Sequence, residues 1–232
     1  MKLHSLILAL SLGFFSACVS RLPPTRLSMP HCVAARGVPS YLKNCRATVI
    51  VEAEVGKKTF IGSGVVVARD GFVLVNAHTL LGKGAQDKVP DLITVRYDTC
   101  DGQTKETVAG VVRVFPGIDL ALLQVPDHFP TEVVLGSDDD LRPGDPVYII
   151  GTPLGVHPHS FIKSYISNWD ARDDTIVLGS GVAKGTSGGG VYDQRGRLIG
   201  VMYAGLPVLS YVISVRTIRS FLATHPRFKG LK

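Results

Sequence analysis

Long apolar runs are almost absent from this 232-residue chain. The one such run, Ser5 to Phe15, is too short to span a bilayer as a permanent helix, which excludes an integral helical membrane protein by this criterion. Aromatic residues make up 7% and Trp occurs once, and no basic run is interleaved with aromatics. The net charge of +6 comes from scattered Lys and Arg, so it points to solubility or weak attraction to anionic surfaces and excludes a nucleic-acid interface. Helix-length periodic patterns are scarce. The four cysteines are Cys18, Cys32, Cys45 and Cys100, and no Cys/His spacing matches a zinc site, so neither a metal nor an organic cofactor is expected.

What the chain does have is glycine and short Val/Ile-rich runs bounded by turn residues, the pattern of an all-β protein. A leader comes first. Lys2 and the apolar stretch end in Phe15-Ser16-Ala17-Cys18, which resembles a bacterial lipobox. The expectation is a signal peptide over residues 1–17, with Cys18 lipidated as the mature N-terminus. The protein would then be anchored to a bacterial membrane and face the periplasm; the alternative is a soluble secreted form. Residues 18–44 carry Pro23-Pro24, Pro30 and Pro39 and read as a linker or arm, with His31-Cys32 as a surface pair. An exported chain meets oxidising conditions, and the three remaining thiols allow either Cys32–Cys45 or Cys45–Cys100.

A packed domain is expected over residues 45–224. Runs from Ala47, Thr59, Phe72, Asp91, Thr104 and Asp119 read as about six strands of one small antiparallel barrel, residues 45–126. A second set, residues 132–215, follows after the Pro126 to Pro130 connection, closed by a short helix over Thr217 to Ala223. The basic tail from His225 is expected to fray. Two further clusters read as surface features: Asp138 to Asp140 as a solvated turn rather than a calcium site, and His157-Pro158-His159 as a loop rather than a metal pair.

The chemistry concentrates at Gly185-Thr186-Ser187-Gly188-Gly189-Gly190. Glycines allow positive φ and close approach, and successive N–H groups in such a turn can converge on an anion. Alone, the stretch reads equally as a Gly-rich hairpin turn. Two others accompany it: Asn76-Ala77-His78, at a strand end, and Asp119-Leu120-Ala121-Leu122-Leu123, where a carboxylate opens an apolar strand. A serine hydroxyl needs a base with a pKa near neutrality, and that base needs a carboxylate to fix its tautomer.

The order His, Asp, Ser, with Gly62-Ser63-Gly64, Leu141-Arg142-Pro143-Gly144-Asp145 and Gly151-Thr152-Pro153-Leu154-Gly155, resembles the trypsin-like serine proteases, most of all the bacterial Deg/HtrA branch. The resemblance runs from about Ala47 to Leu222. It implies two antiparallel six-stranded β-barrels and a serine endopeptidase acting on proteins or peptides of the bacterial envelope. The implied triad is His78, Asp119 and Ser187, with an oxyanion hole from the N–H groups of Gly185 and Ser187. A catalytically silent binding module of the same fold, and an esterase using the same triad, are the rival readings. The implied specificity pocket involves Gly181, Val182, Met202 and Tyr203; Gly181 stands where trypsin has its acid, so an apolar side chain is the expected preference. Thr186 replaces the usual Asn or Asp, and Gly190 the common Pro. No room for a PDZ domain is expected after Lys232, and homo-oligomers occur in the branch.

Overall fold

The computed structural model describes residues 32, 37–82, 89–99, 101–139, 141–170 and 174–230. The leader, the Cys18 lipidation site, His31, Cys100 and Asp140 lie outside these residues. Two bodies of strands dominate, built from short apolar runs, several of them buried along nearly their whole length.

The first body is a sheet of β1 (Thr48–Val55), β2 (Lys58–Ala68), β3 (Phe72–Val75), β4 (Leu92–Asp98), β5 (Thr104–Val108), β6 (Gly110–Phe115) and β7 (Leu120–Gln124). Its order is β5-β4-β1-β2-β3-β7-β6. The second is a closed barrel of β8 (Pro146–Gly151), β9 (Ser160–Asp170), β10 (Thr175–Leu178), β11 (Gly190–Tyr192), β12 (Leu198–Gly205) and β13 (Ser210–Ser214), in the order β10-β13-β12-β11-β8-β9. All pairings between these strands are antiparallel.

The first body therefore departs from the closed six-stranded barrel expected. The single strand predicted over Thr104 to Phe115 is two strands. Around Ala109, whose N–H donates to Ile93 O at 2.9 Å, the chain bends and changes partner from β4 to β7. The two edges of the sheet are thus the two halves of one bent segment, and the sheet curls through the covalent chain.

The expected arm also ends differently. Helix α1 (Tyr41–Arg46) packs onto the second barrel: the Asn44 side-chain amide donates to Tyr148 Oη and Gly196 O, both at 2.9 Å, and Tyr41 Oη donates to His159 O at 2.8 Å. A disulfide joins Cys45 to Cys32, choosing between the two pairings that the sequence left open. Helix α2 (Ala77–Leu81) follows β3, and α3 (Val215–Ala223) follows β13, capped by the Ser214 hydroxyl accepting from Thr217 N at 3.2 Å. The tail does not fray within the described residues. Phe228 is buried, Phe72 packs against it edge-on, and Arg227 Nε meets Asp70 Oδ2 at 2.6 Å. A continuous core links both bodies, with Leu74, Leu120 and Leu122 of the first clustering with Tyr148, Ile150 and Val201 of the second.

Candidate active site

His78 is the second residue of α2, directly after β3 ends. Asp119 ends the tight turn Pro116–Ile118 and precedes β7, the neighbour of β3. Sheet pairing thus brings together two residues far apart in sequence. Four hydrogen bonds then lock them. Asp119 O accepts from Asn76 Nδ2 and Ala77 N, each at 3.1 Å. Its carboxylate accepts from His78 N at 2.9 Å through Oδ1, and from His78 Nδ1 at 2.7 Å through Oδ2. Asp119 sits at φ +56°, a strained region for a non-glycine residue that persists only where its surroundings over-determine it. The four bonds supply that restraint. An ionised carboxylate only accepts, so Nδ1 carries the proton and Nε2 is left with a lone pair. Both side chains stay about a quarter exposed, so the ring remains reachable.

The Ser187 loop comes from the other body. It enters β11, and the first sheet holds it from across the cleft. Ser63 N donates to Ser187 O at 2.7 Å. Gly188, at φ +82°, passes so close that a Cβ there would lie 1.9 Å from Ser63 O; the same point is 3.7 Å from Asn76 N, two residues before His78. Only glycine fits that backbone. Among the described residues the Ser187 hydroxyl makes no hydrogen bond.

The N–H groups of the loop divide into two sets. Thr186 N donates to Ala183 O at 3.3 Å, Gly188 N to Met202 O at 2.7 Å and Gly189 N to Thr186 O at 2.8 Å. Gly185 N and Ser187 N donate to nothing among the described residues. The carbonyls that would turn inward in a collapsed loop are tied back. Lys184 O accepts from Leu154 N at 2.5 Å, and Gly185 O from Ser63 Oγ at 2.9 Å. Ser63 Oγ in turn accepts from Thr152 N at 2.9 Å, so one hydroxyl joins the first sheet, the Gly151–Gly155 segment and the serine loop. Ser63 and Leu154 lay within quoted motifs, but their positioning role depends on contacts across the cleft that no local pattern encodes.

The departures from the family pattern also resolve structurally. Thr186 is buried with no partner for Oγ1 among the described residues, its methyl packed toward Gly151. At Gly190 the Tyr192 phenol fills the space a side chain would need.

The expected pocket is only partly assembled as foreseen. Gly181 packs against the Leu206 and Pro207 carbonyls, so no side chain fits there. Val182 and Tyr203 are half-buried beside the exposed Leu206. Met202 does not line a pocket. Alternation along β12 turns it into the second barrel's core, fully buried, and its backbone O and N instead bond Gly188 and Gly189. A concavity of about 530 Å³ lies between Phe115–Ile118 and α3 and is lined by none of the triad or pocket residues.

His157-Pro158-His159 is not a surface loop throughout: His159 is 95% buried. Of the Asp138 to Asp140 run, Asp138 is buried and meets Arg216 Nη2 at 3.3 Å, so an arginine occupies the place foreseen for solvent.

The trypsin-like peptidase domain family matches residues 62–201, more than half of the chain. The serine protease PepD of Mycobacterium tuberculosis is 29% identical over 195 residues, covering 78% of this chain and 39% of that protein. A probable periplasmic serine endoprotease, DegP-like, of a Marinomonas species is 31% identical over 63% of this chain and 30% of its own length. The chain thus spans two fifths or less of these curated relatives. Among solved structures, the HtrA-type protease AlgW with tripeptide is 25% identical with a TM-score of 0.66, covering 82% of this chain and 64% of that one. A serine endoprotease from Yersinia pestis shares the fold, with a TM-score of 0.67 at 21% identity over 83% of this chain and 66% of that chain. By its strands and these likenesses, the chain belongs to the trypsin-like peptidase domain family, and it is similar to proteases of the HtrA type.

Proposed function

We propose that this chain is a serine endopeptidase acting on proteins of the bacterial envelope through His78, Asp119 and Ser187. The observation that carries the proposal is the carboxylate of Asp119 spanning both the backbone and the ring N–H of His78. That clamp leaves Nε2 as a base directed away from the acid. His78 Nε2 takes the proton of Ser187 Oγ as Oγ adds to the peptide carbonyl carbon. The resulting oxyanion accepts from Gly185 N and Ser187 N, donors that make no hydrogen bond among the described residues. The imidazolium then protonates the leaving amine as the C–N bond breaks. Water, deprotonated by the same nitrogen, attacks the acyl-enzyme, and the proton returns to Ser187 as the carboxylic acid leaves.

Val182, Tyr203 and Leu206 would favour an apolar side chain before the scissile bond. The leader and a lipidated Cys18 would tether the enzyme to a membrane facing the periplasm, the compartment named for the DegP-like relative. The test is labelling by a fluorophosphonate together with cleavage of a denatured protein substrate. Labelling and cleavage that both vanish in Ser187→Ala are the expected outcome. A folded wild-type chain that does neither would refute the proposal; ester turnover without peptide cleavage would reassign it as an esterase.

A further inference from the structure

Beside the serine loop, the segment Phe60-Ile61-Gly62-Ser63 of β2 runs between α2 and the second barrel. Strand alternation sends its side chains two ways. Phe60 and Gly62 face α2: a Cβ on Gly82 would lie 2.5 Å from the Phe60 ring, and one on Gly62 would lie 2.8 Å from the Thr79 side chain. Ile61 and Ser63 face the Gly151–Gly155 segment. Ser63 Oγ accepts from Thr152 N at 2.9 Å, and Ile61 packs on Gly155, where a Cβ would lie 3.1 Å from Ile61 Cγ2. Leu154 and Val156 flank Gly155 in the chain. Ile61 is 40% exposed, Leu154 63% and Val156 45%, and none of them joins either apolar core cluster.

A single exposed apolar side chain needs no explanation, but three gathered around one glycine beside a cleft do. Leu154 is the most unusual of them. It sits at φ +58°, a conformation that glycine or asparagine ordinarily occupies. Its backbone is fixed there, with Leu154 N donating to Lys184 O at 2.5 Å and Gly155 N to Thr152 O at 3.0 Å. Those bonds account for the turn and not for a leucine, whose side chain gains no core packing. Residues held in such strain cluster at functional sites.

The position of this patch relative to the reacting atoms follows from the chemistry. The same turn wraps Gly185, where a Cβ would lie 2.7 Å from Gly155 N and 3.0 Å from Leu154 N, and Gly185 N is one of the two oxyanion donors. Val182, Tyr203 and Leu206 take the residue before the scissile bond. The leaving amine must receive its proton from His78, so the chain that continues from that nitrogen starts at α2 and runs along β2. We propose, on the endopeptidase reading above, that Ile61, Leu154 and Val156 recognise the substrate residues that follow the scissile bond, selecting an apolar side chain in the first two. This surface acts on acylation alone, because the segment it holds departs as the acyl-enzyme forms.

The test uses the full chain and peptides identical through the scissile bond, followed by Leu or Ser at each of the next two positions. The methyl ester of the same acyl part is run beside them. Leu at one or both positions should raise kcat/KM at least about tenfold over the Ser-Ser peptide. Ile61→Thr combined with Leu154→Asn, changes that suit a strand and a left-handed turn respectively, should bring the Leu-to-Ser ratio within about twofold. Val156→Thr, a milder change that serves should the double variant not fold, should lower the ratio about threefold. A ratio read within one variant is insensitive to its overall rate. Wild-type cleavage indifferent to the two residues, or an unchanged ratio in the folded variants, would overturn the inference and leave the endopeptidase reading standing. Ester turnover with no peptide cleaved would refute that reading, and the recognition surface with it.

Discussion

The two halves of the candidate site are built in opposite ways. On the first sheet, His78 and Asp119 are held by charged and polar bonds: four hydrogen bonds converge on one residue, and the strain at φ +56° is the cost of aiming its carboxylate. On the second barrel, the Ser187 loop is held by close backbone approach and carbonyl acceptors, with two donors unused among the described residues. The difference follows from the task. A base must be fixed in tautomer, which only a directional acceptor achieves. An oxyanion hole must keep donors free, so the loop has to be shaped by contacts that do not consume them.

This contrast can be broken from either side. Ser187→Ala removes the proposed nucleophile and should lower kcat by roughly five to six orders of magnitude without changing the melting temperature, measured by peptide hydrolysis and thermal unfolding. Asp119→Asn should cost about 10⁴-fold in kcat. Its amide oxygen can still accept from His78 N, but its NH₂ would donate to Nδ1 and force the proton onto Nε2. A large loss of rate with near-normal stability is the signature of a change in a reacting side chain rather than in the backbone that shapes the loop. Gly188→Ala should do the reverse. A Cβ against Ser63 O at φ +82° should cost roughly 2–4 kcal/mol of stability, visible in denaturant unfolding before any assay is run. An alanine variant as stable as wild type would mean the loop is looser than its contacts imply.

Ser63→Ala tests the bridge between the halves. It strands the buried Thr152 N–H and releases the Gly185 carbonyl. A loss of about 1–3 kcal/mol in stability is expected from the unpaired group. A roughly ten- to hundredfold drop in kcat should accompany it if the released carbonyl competes for the hole. The smallest effect concerns the docked tail. The Arg227 hydrogen bond holds the Asp70 carboxyl below its ordinary value. Its contribution is therefore complete above the ordinary carboxylate pKa and fades as pH falls through the depressed folded value. Both side chains are more than a third exposed, so Arg227→Ala should cost under about 1 kcal/mol, and that difference from wild type should vanish in acid.

Much of the scaffold was legible locally. Alternating apolar runs, and turns such as Arg69-Asp70-Gly71 and Gln194-Arg195-Gly196, carry their own physics, and the strands appear close to where the pattern places them. The failures are instructive because each involves a choice of partner. Thr104 to Phe115 is β-forming throughout, so nothing local reveals that its halves pair with different strands. Tyr41 to Arg46 is too short to declare a helix, and it stands because Asn44 and Tyr41 find acceptors on the second barrel. Met202 and Tyr203 are both apolar, and only the closed barrel decides which of them faces inward.

The sequence by itself determined the class of strands, the order of the three candidate residues and the glycines that let the serine loop bend. These depend on local stereochemistry and residue type, which neighbours in the chain suffice to express. The tertiary structure alone decided that His78 and Asp119 meet with the ring nitrogen roles assigned, that Ser63 ties back the Gly185 carbonyl, and that Cys32 rather than Cys100 bonds Cys45. It also buried His159 against Asp98 and the Cys32–Cys45 disulfide, where its own stretch of chain reads as a surface loop. Hydrogen bonds and donor sets of this kind depend on distances of a few ångströms between segments remote in the chain, and only packing sets those distances.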